Sequence, residues 1–287
     1  MEANEELQET PDPETQAPAV LLVGGGKMGA ALISGWRKRE LPGNNITVVE
    51  PDQVQREDLS GHHDVTAVDD PEELPGDYVP GVVVLAVKPQ LLDEVLPEYQ
   101  AYVEKGAVFL SIAAGRTTTE LRDKLGGNAA VVRAMPNTPA SIGEGMSVLC
   151  AGPDVQPGQR ALCEALMSSV GGTEWIEDED MMHAVTALAG GGPAYVFLLI
   201  EVMEQVGTEM GLPVHVARRL ARETVAGAGS LARRDPSEPA ALRQGVASPG
   251  GTTAEALDVL MTEEEGLKPL MRRAAEAAAA RSRELAG

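Results

Sequence analysis

Two stretches of this sequence set glycines beside residue types able to hold a ligand: "GGGKMG" at 24–29 and "SPGGTT" at 248–253. The first follows an apolar run, residues 19–23, and opens a segment whose Met28, Leu32, Ile33 and Trp36 recur at helical spacing. A strand followed by Gly24-x-Gly26-x-x-Gly29 and a helix is the pattern of a dinucleotide-binding turn. Gly24 makes the tight turn, Gly26 lets the backbone approach a pyrophosphate, and Gly29 lets helix and strand pack closely. Lys27 and Met28 belong to the same turn, and the amides of the helix start favour phosphate. The next β-branched run, "ITVVE", ends at Glu50. A carboxylate at that point accepts hydrogen bonds from ribose hydroxyls and repels a 2′-phosphate. Asp52 adds to the repulsion and Arg56 offsets it, so the cofactor is NADPH or NADH, with Glu50 making NADH acceptable.

The second stretch raises a different question. Pro249-Gly250-Gly251 leads straight into the Ala/Leu/Glu-rich "AEALDVLM". Such a helix start can take a ligand against its bare amides. The plainer alternative is that Ser248 caps the helix and Pro and Gly only punctuate the loop.

Strands alternating with helices must position the first glycine cluster. Residues 64–68, 82–87, 107–114, 129–136, 146–151 and 173–176 read as strands, with helix-compatible stretches at 28–39, 90–104 and 117–125. That alternation predicts an α/β, Rossmann-like, doubly wound and mostly parallel sheet. From residue 178 onward helical periods dominate, with turn signals at Gly211-Leu212-Pro213, "RRDPSEP" and 248–251. The expected organisation is therefore an acidic tail over 1–18, without order, a dinucleotide-binding domain over 19–177, and an all-α domain over 178–287. The long apolar runs of the last are hard to bury in one small domain, so part of them should face another subunit.

Composition excludes several classes. The net charge is −21, and residues 1–19 contribute six acids and no base. The remainder stays acidic, a field that repels nucleic acid. Cys150 and Cys163 lack metal-ligand spacing and read as reduced thiols of a cytoplasmic protein. His62-His63 lies in a polar, turn-like stretch, and no metal site is expected. No uninterrupted apolar run approaches the roughly 18–20 residues of a membrane span, and the N-terminus lacks the pattern of a signal peptide.

From "VVVLAVKPQ" (82–90) onward the sequence resembles the pyrroline-5-carboxylate reductases, which complete proline synthesis. "SIAAG" (111–115), "RAMPNTPA" (133–140), "GEGMSVL" (143–149), "GLP" (211–213), "SPGGTT" and "RSREL" (281–285) fall in family order. The resemblance implies reduction of 1-pyrroline-5-carboxylate to L-proline by NAD(P)H and a helical domain that dimerises, with dimers often assembled into larger rings. It implies that Ala86, Val87, Lys88 and Pro89 line the cofactor, with Asn137 and Thr138 near its nicotinamide end. It also implies a substrate carboxylate held by Ser248, Gly250, Gly251 and Thr252, and a ring nitrogen hydrogen-bonded by Thr253, the catalytic candidate.

One departure stands out. Family members usually write Ser-Gly-Ser-Gly-Pro-Ala-Tyr where this chain has Ala189-Gly190-Gly191-Gly192-Pro193-Ala194-Tyr195. The missing hydroxyls favour, slightly, a dinucleotide-binding protein without reductase activity; Ser248 and Thr253 count against it. A 3-hydroxyacid dehydrogenase, the third reading, resembles its relatives in using a lysine base on the helical domain, and 178–260 contains no Lys.

Overall fold

The computed structural model describes residues 18–286. The acidic tail expected over 1–18 lies outside the described residues except for Pro18. By backbone contacts the chain divides into two compact units, one ending at Asp180 and the other beginning at Met181.

The first unit is built on eight strands: β1 (Val20–Val23), β2 (Ile46–Val49), β3 (Thr66–Val68), β4 (Val82–Leu85), β5 (Val108–Ser111), β6 (Ala130–Met135), β7 (Gly145–Ala151) and β8 (Gly171–Trp175). They form one sheet in the order β3-β2-β1-β4-β5-β6-β7-β8. Every neighbouring pair is parallel except β6 and β7. The exception follows from the connection, residues 136–144, which is too short for the crossover that a parallel pair requires.

Alternation along the central strands divides the core into two layers. Leu22, Val84, Leu110 and Val132 face helix α1 (Lys27–Lys38), where they meet Ile33 and Trp36. Leu21, Val83, Phe109 and Val131 face the opposite layer, with Leu92, Leu96 and Tyr99. Strands buried on both faces read as unbroken apolar runs, which is why β1 and β4 are legible. Helix α2 (Gln53–His63) starts at Asp52, whose carboxylate accepts from Gln55 N at 2.9 Å, and ends at Asp64 in the left-handed region. His62 and His63 therefore close a helix, not the turn-like stretch expected of them.

The stretch 90–104 also differs from a single helix. It is broken into short turns, Pro89–Leu91, Leu92–Val95, Leu96–Tyr99 and Ala101–Glu104. Pro97 lacks the N–H that a continuing helix would use, and its ring obstructs the preceding turn. Beyond it, α3 (Thr118–Lys124) and α4 (Pro157–Ser168) flank the far half of the sheet. Burial pushes the Cys163 thiol of α4 up to about 12 and that of Cys150 on β7 up to about 11.

A buried ion pair closes this half. Arg133 on β6 is 2% exposed, and its Nη1 lies 3.0 Å from Glu179 Oε1. The same carboxylate accepts from Thr118 N at 2.9 Å and Thr118 Oγ1 at 2.6 Å, tying the start of α3 to the end of the unit.

Among the described residues the second unit is entirely helical, with α5 (Gly192–Glu209), α6 (Val214–Arg234), α7 (Thr252–Leu260) and α8 (Leu267–Ala286) as its longer members. Helices α5 and α6 form a hairpin turned by Gly211 at φ +96°. Gly207 permits its close approach, because a Cβ there would lie 3.2 Å from Ala217 Cβ. His183 Nδ1 and Ser282 Oγ, 3.0 Å apart, join the start of the unit to α8. Helix α5 leaves Phe197, Leu198, Leu199 and Val202 largely exposed. The continuous helical stretch Glu179–Glu209 is, by length and composition, long and apolar enough to cross a membrane. The expectation of no such segment rested on uninterrupted apolar runs, whereas residues 181–200 carry no Asp, Glu, Lys or Arg and are interrupted only by neutral or small residues such as His183, Thr186 and Gly190–Pro193.

Removing one partner of a buried ion pair leaves the other charge uncompensated, at a cost of about 3–5 kcal/mol. Arg133→Ala should therefore lower the denaturant midpoint of unfolding far more than the removal of an exposed pair such as Arg281–Glu284. Equal shifts in the two variants would refute the stabilising role of the Arg133 pair.

Candidate active site

The first glycine cluster sits at the C-terminal ends of β1, β2 and β4, beside the point where strand order reverses, the place at which open α/β sheets bind ligands. A cleft of about 430 Å³ opens there, lined among others by Gly24, Gly26, Glu50, Ala86, Val87 and Lys88. Each glycine has its own reason. Gly24 has φ +96°, and its amide donates to Val49 O at 2.9 Å. A Cβ on Gly29 would lie 2.5 Å from Gly24 O, so α1 and the turn pack backbone to backbone. At Gly26 a Cβ would meet nothing within 4 Å, so this glycine opens onto free space. Gly26 is the N-cap of α1 and no side chain caps that helix. Bare amides at a helix start with room in front of them fit a pyrophosphate.

Lys27 and Met28 open α1, and Pro89 begins the turn after β4; none of them lines the cleft. Asn137 and Thr138 lie after β6. Asn137 Oδ1 accepts from Met146 N at 2.9 Å, and Thr138 starts the tight turn Thr138–Ile142. That hydrogen bond braces the antiparallel β6–β7 connection.

Two features escape the spacing argument. Gly25, a neutral position in the motif, donates its amide to Glu50 Oε2 at 2.7 Å, and a Cβ there would strike Leu59. The cleft wall also includes Asp69 and Asp70 after β3, and Leu91, Glu98 and Tyr99 from the broken turns after β4. The only sequence signal for these is an acid pair directly following a strand. Asp69 hydrogen-bonds Glu73, which holds the Asp69 carboxyl below its ordinary range and raises that of Glu73.

In the second unit, the segment 248–253 forms the start of α7. Gly250 has φ +67°, a conformation side chains resist. The N-cap is Gly251, and no side chain caps the helix, so Ser248 does not serve as a plain cap. Instead Ser248 O accepts from Gly251 N at 3.0 Å, and a Cβ on Gly251 would lie 2.6 Å from Ser248 Oγ. The hydroxyl thus lies over the glycine, and Thr252 and Thr253 are exposed in the first turn. This start, too, offers amides to an anion.

The region of the replaced serines is also distinctive. Residues Thr186–Gly190 form a π-helical turn running into α5. Tyr195 Oη donates to Ala187 O at 2.9 Å, and a Cβ on Gly191 would lie 2.9 Å from that hydroxyl. A serine at 191 would have to displace the tyrosine.

Comparison with known proteins decides the family. The chain is 38% identical to the pyrroline-5-carboxylate reductase of Pseudomonas aeruginosa over 94% of its own length and 97% of that protein. The chain belongs to the pyrroline-5-carboxylate reductase family. Its residues 179–285 match the description "Pyrroline-5-carboxylate reductase dimerisation", and residues 19–115 match "NADP oxidoreductase coenzyme F420-dependent". The family member from Coxiella burnetii superimposes with a TM-score of 0.89 at 34% identity, covering 94% of this chain and 99% of that one. That of Plasmodium falciparum, solved with NADP bound, gives 0.79 at 27% identity over 95% and 99%. The function is accordingly reduction of 1-pyrroline-5-carboxylate to proline, and the helical region is a dimerisation domain.

The packing of Gly29 against Gly24 O generates a prediction. Gly29→Ala should destabilise the first unit by ~1–3 kcal/mol through overpacking and weaken dinucleotide binding at least tenfold in a fluorescence titration. Unchanged binding would show that the turn is not the pyrophosphate cradle.

Proposed function

We propose that the enzyme draws its reducing equivalents from NAD(P)H held in the cleft of the first unit, over residues 19–177, and that the helical unit, over 178–287, carries the substrate loop and the dimer contact. The observation that carries this reading is the uncapped start of α7 behind Gly250 and Gly251, in a chain of this family. The uncapped start of α1 is its counterpart for the cofactor.

The cofactor supplies the hydride. Every other requirement falls on the chain. Gly24, Gly26 and Gly29 shape the pyrophosphate turn, with Lys27 and Met28 in its first helical residues. Ala86, Val87 and Lys88 form the wall after β4, with Pro89 behind them at the start of the next turn; Glu50 meets the adenosine ribose, and Asn137 and Thr138 stand toward the nicotinamide.

The substrate's carboxylate is received by Ser248, Gly250, Gly251 and Thr252. Charge-assisted hydrogen bonds contribute about 1.5–3 kcal/mol each. The helix dipole adds ~0.3–1 kcal/mol, so the amides and the Ser248 hydroxyl dominate the anchoring. Thr253, in the first turn of α7, hydrogen-bonds the ring nitrogen and orients or relays its proton. A protonated imine is already electrophilic, so a hydroxyl can assist without being a strong acid, and positioning carries most of the rate.

The exposed Phe197, Leu198 and Val202 of α5 support burial of this face against a second copy, giving a dimer or a ring of dimers. The unpaired, buried Cys150 and Cys163 support a reducing, cytoplasmic setting.

Thr253→Ala tests the assignment. Turnover of pyrroline-5-carboxylate should fall at least tenfold while the dinucleotide dissociation constant stays within twofold. Unchanged turnover would remove Thr253 from the chemistry, and absence of substrate-dependent oxidation in the unaltered protein would favour a dinucleotide-binding protein without reductase activity.

A further inference from the structure

We propose that this enzyme takes NADH in preference to NADPH, and that the Glu50 carboxylate, fixed by two backbone amides at the mouth of the cleft, enforces the choice. The inference rests on the reading of that cleft as the dinucleotide site. Glu50 follows β2 directly, at the position where an open α/β sheet reads the adenosine ribose. Its residue is only 8% exposed, yet it lines the cleft. Oε2 accepts from Gly25 N at 2.7 Å and Oε1 from Asp52 N at 2.9 Å. Oε2 is therefore held by the turn after β1, and Oε1 by the start of α2. Each retains acceptor capacity for a ribose hydroxyl. A 2′-phosphate at the same point would meet a carboxylate that cannot swing away without breaking those bonds.

A nearby cation could offset this repulsion, and the candidate is Arg56. Its Nη1 donates to Glu50 O and to Pro51 O, both at 2.8 Å, and its Nη2 lies 3.8 Å from Asp69 Oδ2. Arg56 is thus engaged in bracing the end of β2 and in facing an acid of the cleft wall. The wall itself carries Glu50, Asp69, Asp70 and Glu98 against one lysine, Lys88, which follows β4. The field at the ribose end is that of several carboxylates, and an additional phosphate raises the cost of binding there.

The test is a fluorescence titration of the full chain with NADH and with NADPH, in the absence of substrate and at fixed ionic strength. NADH is expected to bind at least tenfold more tightly. Glu50→Ser should narrow that ratio at least tenfold, chiefly by tightening NADPH. Because the substitution also releases Gly25 and can loosen the turn for both cofactors, Arg56→Ala provides a second arm. If Arg56 is committed to the backbone and Asp69, its loss should change both affinities by the same factor. Equal or tighter binding of NADPH by the unaltered protein, or a loss confined to NADPH in Arg56→Ala, would overturn the preference and leave the cleft as the dinucleotide site. Failure of both dinucleotides to bind would overturn the cleft reading and the preference together.

Discussion

The hydrogen bond from Gly25 N to the Glu50 carboxylate joins the two strand ends that frame the cleft. One side chain from the end of β2 reaches into the turn after β1 and accepts from one of its backbone amides. At two positions the turn has no room for a side chain, since a Cβ at Gly25 or Gly29 would collide with Leu59 or with Gly24 O. A backbone stripped in this way loses much conformational entropy on folding. A buried charged acceptor for one amide, with the packing of α1 behind it, holds the turn in one conformation. The consequence is an uncapped helix start whose backbone is held in place by the fold itself.

Elsewhere in the first unit the same economy recurs with opposite charge. Arg133 is buried in the sheet, and Glu179 answers it while also receiving the start of α3. The pair ties β6 to the start of α3 and to the end of the unit. Asn137 performs the neutral version of the task by bonding Met146 N across the same connection. Polar side chains here serve mainly to satisfy backbone where the regular pattern of strand, helix and strand is interrupted.

The helical unit obeys a different constraint. Small residues, such as Gly207 against Ala217, bring α5 and α6 together, and few side chains are buried within the unit. Its large apolar residues lie outward. A surface of that kind is stable in water when a second copy covers it, which accords with the dimerisation domain shared with the family. The departure at 189–191 is absorbed locally, because Tyr195 takes the carbonyl of Ala187 where a residue larger than glycine at 191 would crowd it.

Much of this was legible in the sequence. Unbroken apolar runs marked the buried parallel strands, and Gly24, Gly26 and Gly29 marked the turn: Gly24 takes a positive φ, Gly29 packs against backbone, and Gly26 leaves the helix start open. "SPGGTT" marked a helix start for the same reason, and the family motifs carried the reaction. What the residues could not reveal was set by contacts distant in the chain. Whether Ser248 caps α7, how Pro97 breaks 90–104, and which acids line the cleft depend on neighbours brought together only by folding. Glu50 shows the division most plainly. Its position after a β-branched strand named it as the ribose reader, whereas its grip on Gly25 and Asp52, and the diversion of Arg56 to the backbone, exist only once β1 and β2 lie side by side. Local chemistry is written in residue type and spacing; the orientation of a charge is decided by the tertiary hydrogen bonds that hold it.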